Sequence, residues 1–199
     1  MAFTFFFRDT QTLELLAEHA IPTLKQNRYI RIWDAGCAMG PEPYSLAIIF
    51  RENMGHFLFR NVKISATDID ESDFGATIAR GAYPEAELGR IPPDILGRYF
   101  SPDEQPGYLR ISDEIRQSVE FQRHDLLSLK PVRQDFGLIV CKNVLLHFTQ
   151  QERVKVIEMF HHALVEGGYF VTEQTQKLPP ETEPLFCQIT NAAQLYRKV

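Results

Sequence analysis

A chain of 199 residues, 44% hydrophobic and 24% charged, is long enough for one domain with a full core and too short for two large ones. Its formal net charge of −5 argues against broad binding to nucleic acid or to an anionic membrane surface. The apolar runs FTFFF, SLAIIF and FGLIVC fall far short of the roughly 20 residues that span a bilayer, so no membrane insertion is expected. Cys37, Cys141 and Cys187 are odd in number, far apart and without zinc-type spacing, which points to reduced thiols, no metal site and a cytoplasmic location. The first residues do not read as a signal peptide.

In chain order, residues 3 to 9 (FTFFFRD) set four phenylalanines beside Arg8. A helix is predicted over 10 to 26, with Leu13, Leu16, Ala17, Ala20 and Leu24 in one apolar stripe. The phenylalanines read as a plug on the core. A guanidinium amid rings calls for a carboxylate, a phosphate or water close by.

Residues 34 to 45, DAGCAMGPEPYS, organise the rest of the chain. Tyr29, Ile30, Ile32 and Trp33 lead into Asp34 as a short buried strand, and Gly36 and Gly40 permit positive φ or close approach of a ligand to bare backbone. Pro41 and Pro43 fit only the first turn of a helix, predicted to run to about 53 with Tyr44, Ala47, Ile48 and Arg51 on one face. Strand, glycine turn and helix N-terminus form a nucleotide-type cradle. The Asp-x-Gly-x-x-x-Gly spacing is neither the dinucleotide nor the P-loop pattern, and no basic residue lies between 34 and 50 to meet a pyrophosphate. A ligand with an adenine, hydroxyls and a positive charge suits Asp34 and Glu42 better, and S-adenosylmethionine is one.

Val62, Ile64 and Ala66 alternate into TDID, residues 67 to 70, a second strand whose Asp68 is placed to accept ribose hydroxyls. Asp68 or Asp70 could equally cap a helix over 71 to 80. Residues 81 to 123 break the alternation with many prolines and glycines, a helical piece at 94 to 100, and strand patterns at 108 to 112 and 118 to 124 that suggest a small antiparallel excursion. It reads as an insertion that carries specificity. FGLIVC, residues 136 to 141, suits a central parallel strand, and Asn143 and His147 come after its end. Thr149 and Glu152 predict a capping box for a helix over 150 to 165 that Gly167 and Gly168 close. GYFVTE is a further strand, and LFCQIT with AQLYRKV an antiparallel closing pair.

TFFFRD at 4 to 9, GPEPYS at 40 to 45, ATDID at 66 to 70, ARGAYPEAEL at 79 to 88, RYF at 98 to 100, HDLL at 124 to 127 and CKNVLLHF at 141 to 148 form an ordered set. Together they resemble the CheR family of chemotaxis receptor methyltransferases, which are S-adenosylmethionine-dependent protein-glutamate O-methyltransferases. The resemblance covers nearly the whole chain. It implies an α/β, Rossmann-like class I methyltransferase fold over 1 to 199, with a seven-stranded, mostly parallel sheet and a small antiparallel subdomain inserted at about 98 to 122.

It also implies cofactor contacts at Thr4, Arg8, Glu42, Asp68, Asp125, Leu126, Asn143 and Val144, beside the bare backbone of Gly36 that the turn itself offers, with S-adenosylhomocysteine as product. The acceptor would be a glutamate of a chemoreceptor or another signalling protein. Because a carboxylate is already ionised at neutral pH, the chemistry needs in-line placement rather than a base, and Arg8 matches the family residue that holds the acceptor.

Three positions depart from the family pattern: His147 replaces a tyrosine, Pro41 an acid, and Ala2 an asparagine. His147 can donate a hydrogen bond or accept a proton, which keeps open a small-molecule O- or N-methyltransferase in which it is the catalytic base. A non-catalytic module that binds the cofactor or its product is the third reading. The family's basic N-terminal helical domain has no counterpart in these residues, as expected of a fragment or of a minimal member.

Overall fold

The computed structural model describes residues 4–69 and 72–199. Ala2, Phe3 and Asp70, each given a part in the sequence analysis, lie outside them. Two helices, α1 (Thr10–His19) and α2 (Ile21–Leu24), precede the first strand, β1 (Ile30–Ala35). The helix predicted over 10 to 26 is broken at Ala20 because Pro22 fits the first turn of a new short helix, where its missing N–H costs nothing. Leu13, Leu16, Ala20 and Leu24 still share one buried face.

The glycine turn leads into α3 (Pro41–Phe59), which runs past the predicted end through Gly55 at φ 74°. After β2 (Val62–Asp68) comes α4 (Phe74–Arg80), which begins three residues later than predicted, with Asp73 at the N-cap position. Next are β3 (Ala82–Pro84), α5 (Pro93–Tyr99), β4 (Phe100–Pro102), β5 (Tyr108–Ile111), α6 (Asp113–Arg116) and β6 (Val119–Arg123). The chain closes with β7 (Phe136–Cys141), α7 (Gln150–Ala163), β8 (Leu164–Thr172), β9 (Phe186–Gln188) and β10 (Leu195–Lys198).

Seven strands form one mostly parallel sheet in the order β6-β2-β1-β7-β8-β10-β9, and β3-β5-β4 form a separate antiparallel sheet. The strand at 118 to 124 therefore does not join the small excursion. It lies parallel to β2 at the edge of the large sheet, where Phe121 packs under Gly75, and the small sheet takes its third strand from Ala82–Pro84 instead. Gly167 and Gly168 do not close α7 either. That helix ends at Ala163, and the glycines lie within β8 beside a register irregularity opposite Phe136 and Leu138.

All six residues of β7 are buried, which places it at the centre of the sheet. Its Leu138 and Val140, with Ile30 and Ile32 of β1, face α1 and α3 in one core. Ile139 and Cys141, with Trp33 and Ala35, face α7 in the other. Trp33 is fully buried, its ring 5.1 Å from that of Phe160, and its indole donates to Thr67 Oγ1 at 2.9 Å. Each fully buried phenylalanine such as Phe50 or Phe160 contributes about 1.5–3 kcal/mol through removal from water. Thr149 and Glu152 form both halves of the predicted capping box.

From β1 the chain moves outward through β2 to β6 and then returns to β7 on the other side of β1. The carboxyl ends of β1 and β7 are thus a topological switch point, where helices leave toward opposite faces and a crevice opens.

Candidate active site

The glycine turn is locked onto the end of β2. The amides of Gly36 and Cys37 both donate to the Thr67 carbonyl, at 2.7 and 3.0 Å, and the Ala38 amide donates to Asp68 Oδ2 at 2.9 Å. Gly36 and Gly40 each sit at φ 102°, which costs an L-residue heavily, yet the two serve different ends. Gly36 lines a cavity, and a Cβ there would stand 2.1 Å from Val144 Cγ2 across the switch point. Gly40 is filled from the protein side, its Cβ direction blocked by the Tyr83 hydroxyl at 2.7 Å and by Ile78 at 2.8 Å. Tyr83 also donates to the Met39 carbonyl at 2.8 Å, so the small antiparallel sheet braces the turn.

The cavity holds about 520 Å³ and lies over the carboxyl ends of β1, β2, β6 and β7. All ten residues selected from the sequence border it. Gly36 and Glu42 come from the turn and the first turn of α3, Asp68 from the end of β2, and Asp125 and Leu126 from the segment after β6. Asn143, Val144 and His147 lie beyond β7, and Thr4 and Arg8 reach in from the N-terminal segment.

They are not equivalent. Asp125 is exposed and accepts at Oδ1 from the Leu127 amide at 2.9 Å, whereas Leu126 is buried in the core on the α7 side. His147 is exposed and sits in a single turn of 3-10 helix. Arg8 donates through Nη2 to Asn143 Oδ1 at 3.2 Å, with its guanidinium 5.9 Å from the Phe5 ring centre.

The backbone around Arg8 is unusual. Phe7 and Asp9 have φ of 55° and 60°, and so does Asn143 at 60°. Asp and Asn adopt that conformation with little cost, but a bulky residue such as Phe7 holds it only when its surroundings impose it. Here the Phe7 amide donates to Ser45 Oγ at 2.8 Å and its ring is buried with that of Phe6, so these two phenylalanines do plug the core. Asp9 caps α1 through Thr12 and accepts from Gln174. The Asn143 amide donates to Glu173 Oε2 at 3.1 Å.

Sequence spacing pointed to acids without bases around the turn, and the fold corrects this. Lys142, only 6% exposed, places its ammonium 3.5 Å from Asp9 Oδ2 and 3.6 Å from Glu42 Oε1. Burial pushes the Glu42 carboxyl above its usual range, and Lys142 partly opposes the shift. Asp34, at the end of β1, is raised further, first by burial and then by the negative charge of Glu42. Its Oδ2 and the Oε1 of buried Glu173 have no hydrogen-bond partner among the described residues. Cys37 and Cys141 are pushed up by burial and by these same carboxylates, and all three cysteines are free thiols.

Such a site favours a ligand that carries positive charge and hydroxyls. Bare backbone at Gly36, an acid at the end of β2, exposed apolar Ile69 and Leu127 on one wall and an excess of buried carboxylate fit S-adenosylmethionine. Sequence reasoning missed Lys142, Asp9, Glu173 and His124. Lys142 left a signal, since a lysine directly after a fully apolar central strand must find a partner when buried. Among the described residues no group of three or more potential ligands could hold a metal, and no helix is long and apolar enough to cross a membrane.

Residues 2–193 match the family described as CheR methyltransferase, SAM binding domain. A Chemotaxis protein methyltransferase 1 of Pseudomonas aeruginosa is 34% identical over 195 residues, spanning 92% of this chain and 70% of its own. A Chemotaxis protein methyltransferase of Vibrio parahaemolyticus is 30% identical over 197 residues, spanning 98% and 71%. A Probable chemotaxis protein methyltransferase of Rhizobium etli is 30% identical over 193 residues, spanning 94% and 72%.

Proposed function

The chain belongs to the CheR methyltransferase family and is an S-adenosylmethionine-dependent methyltransferase, and we propose that it esterifies glutamate side chains of a chemoreceptor or a related signalling protein in the cytoplasm. The observation that supports this acceptor best is Arg8, a guanidinium on the cavity wall directed by Asn143, whereas the other cation there, Lys142, is engaged by Asp9 and Glu42. An arginine so placed suits an incoming carboxylate, because its planar fork can pair with both oxygens.

When bound, S-adenosylmethionine supplies an electrophilic methyl group on a sulfonium centre. What the chain must supply is position. Asp68 and the Gly36 turn form one wall for the nucleoside, and Glu42 with its neighbouring acids favours the cationic end. Arg8 holds the acceptor carboxylate, which attacks in its ionised form and needs no proton removed. A carboxylate paired with arginine loses some nucleophilicity, and orientation must outweigh that loss.

The product distinguishes this reading from methylation of nitrogen or of a hydroxyl. With methyl-labelled S-adenosylmethionine and a chemoreceptor cytoplasmic fragment, the label should transfer to the fragment and leave as methanol in mild alkali. Label that stays on the acceptor after alkali overturns the proposal.

A further inference from the structure

We propose that Lys142 is the positioning residue that sets Arg8 for the acceptor, its buried ammonium tying the N-terminal segment to the glycine-turn helix. This rests on the reading of Arg8 as the group that holds the acceptor carboxylate. The two acids that Lys142 bridges belong to separate parts of the chain. Asp9 adjoins Arg8 and caps α1, and Glu42 lies in the first turn of α3. Lys142 lines the cavity, yet its charge is engaged by these two carboxylates, so it acts through them.

The bridge is enforced by burial. Lys142 is only 6% exposed, and an unpaired charge so far removed from water is strongly unfavourable, so Asp9 and Glu42 are held to it together. The segment it fastens has reason to move. Phe7 and Asp9, on either side of Arg8, both hold left-handed backbone, and at Phe7 that conformation relaxes unless tied down. Of the ties, Phe7 to Ser45 and Asp9 to Thr12 and Gln174 leave the Asp9 charge unmatched, and Lys142 matches it. Lys142 also immediately precedes Asn143, which accepts from Arg8, so one dipeptide fixes Arg8 from both sides.

Asp9→Asn is the informative variant, since asparagine keeps an acceptor for the Thr12 amide at the helix cap while it removes the charge that Lys142 meets, at the loss of the Oδ2 acceptor of the Thr12 hydroxyl. Measured with S-adenosylhomocysteine, its cofactor-site affinity should stay within about twofold of wild type. With a chemoreceptor cytoplasmic fragment, kcat/KM should fall by about tenfold or more, and amide exchange over 5 to 13 should quicken in the protein without acceptor. Lys142→Met should lose more, and Lys142→Arg should recover most of that loss. Should Lys142→Met fail to fold, Asp9→Asn still decides.

Unchanged acceptor kinetics in Asp9→Asn, or a loss that tracks cofactor affinity in parallel, overturns the inference. Arg8→Ala separates it from its premise. If Arg8→Ala leaves acceptor kinetics intact, the reading of Arg8 fails. If Arg8→Ala is defective while Asp9→Asn and Lys142→Met are normal, only the role of Lys142 fails.

Discussion

Gly36 and Val144 face each other across the switch point so closely that a single added methyl on Gly36 would stand 2.1 Å from Val144 Cγ2. The glycine is needed twice, for this contact and for its φ of 102°. Gly36→Ala should destabilise the fold by about 1–3 kcal/mol and abolish S-adenosylhomocysteine binding, read by urea denaturation and calorimetric titration. Adding Val144→Ala should relieve the clash but not the backbone strain, so binding should return only in part.

Asp68 accepts from the Ala38 amide and borders the cavity. Its loss removes a charged acceptor for ligand hydroxyls and loosens the turn as well. Asp68→Ala should weaken S-adenosylhomocysteine binding by roughly ten- to a hundredfold, as hydrogen bonds to charged groups are worth about 1.5–3 kcal/mol. Affinity equal to wild type would remove Asp68 from the proposed cofactor contacts.

Arg8→Lys keeps the charge but loses the planar fork that reaches Asn143. Acceptor turnover should fall by about 100-fold. Steady-state kinetics with a receptor fragment would show it, and a variant as active as wild type would argue that only charge matters at this position.

His147 borders the cavity beyond the end of β7, where it is exposed to solvent. If the acceptor is a carboxylate, His147→Phe should keep turnover within a few-fold of wild type. A catalytic base would instead cost about 10²–10⁴-fold, the result expected of a small-molecule hydroxyl or amine acceptor.

The Asp34 carboxyl is raised in the folded chain, first by burial and then by Glu42. A carboxyl with a higher pKa folded than unfolded stabilises the fold while protonated, and that contribution is lost as pH rises from about 4 through the raised folded value. Asp34→Asn cannot lose it. The stability of Asp34→Asn relative to wild type should therefore improve between pH 4 and pH 8, seen as diverging urea midpoints, whereas a constant offset would show that Asp34 is ionised at little cost.

Much of the fold was legible because local physics wrote it locally. FGLIVC is apolar throughout, so it had to be buried on both faces, and Thr149 with Glu152 fixed the start of α7 by their own hydrogen bonds. Where sequence and structure part, a distant partner decided. The pattern at 118 to 124 marked a strand correctly, but nothing in it says whether it pairs with β5 or with β2. Gly167 and Gly168 look like a helix stop, yet the parallel pairing of β8 with β7 draws them into the sheet.

Around the cavity, sequence alone determined what depends on one strand end and the turn after it: Gly36, Glu42, Asp68 and Asn143 border it, each placed there by the few residues around it. Only the tertiary structure decided how those ends are charged against one another. Lys142 reaches Asp9 and Glu42 because β7 lies beside β1 while the N-terminal segment folds back over both, and no window of sequence contains all three residues. Coulomb interaction depends on distance in space and on the exclusion of water, and both are properties of the packed molecule rather than of the chain.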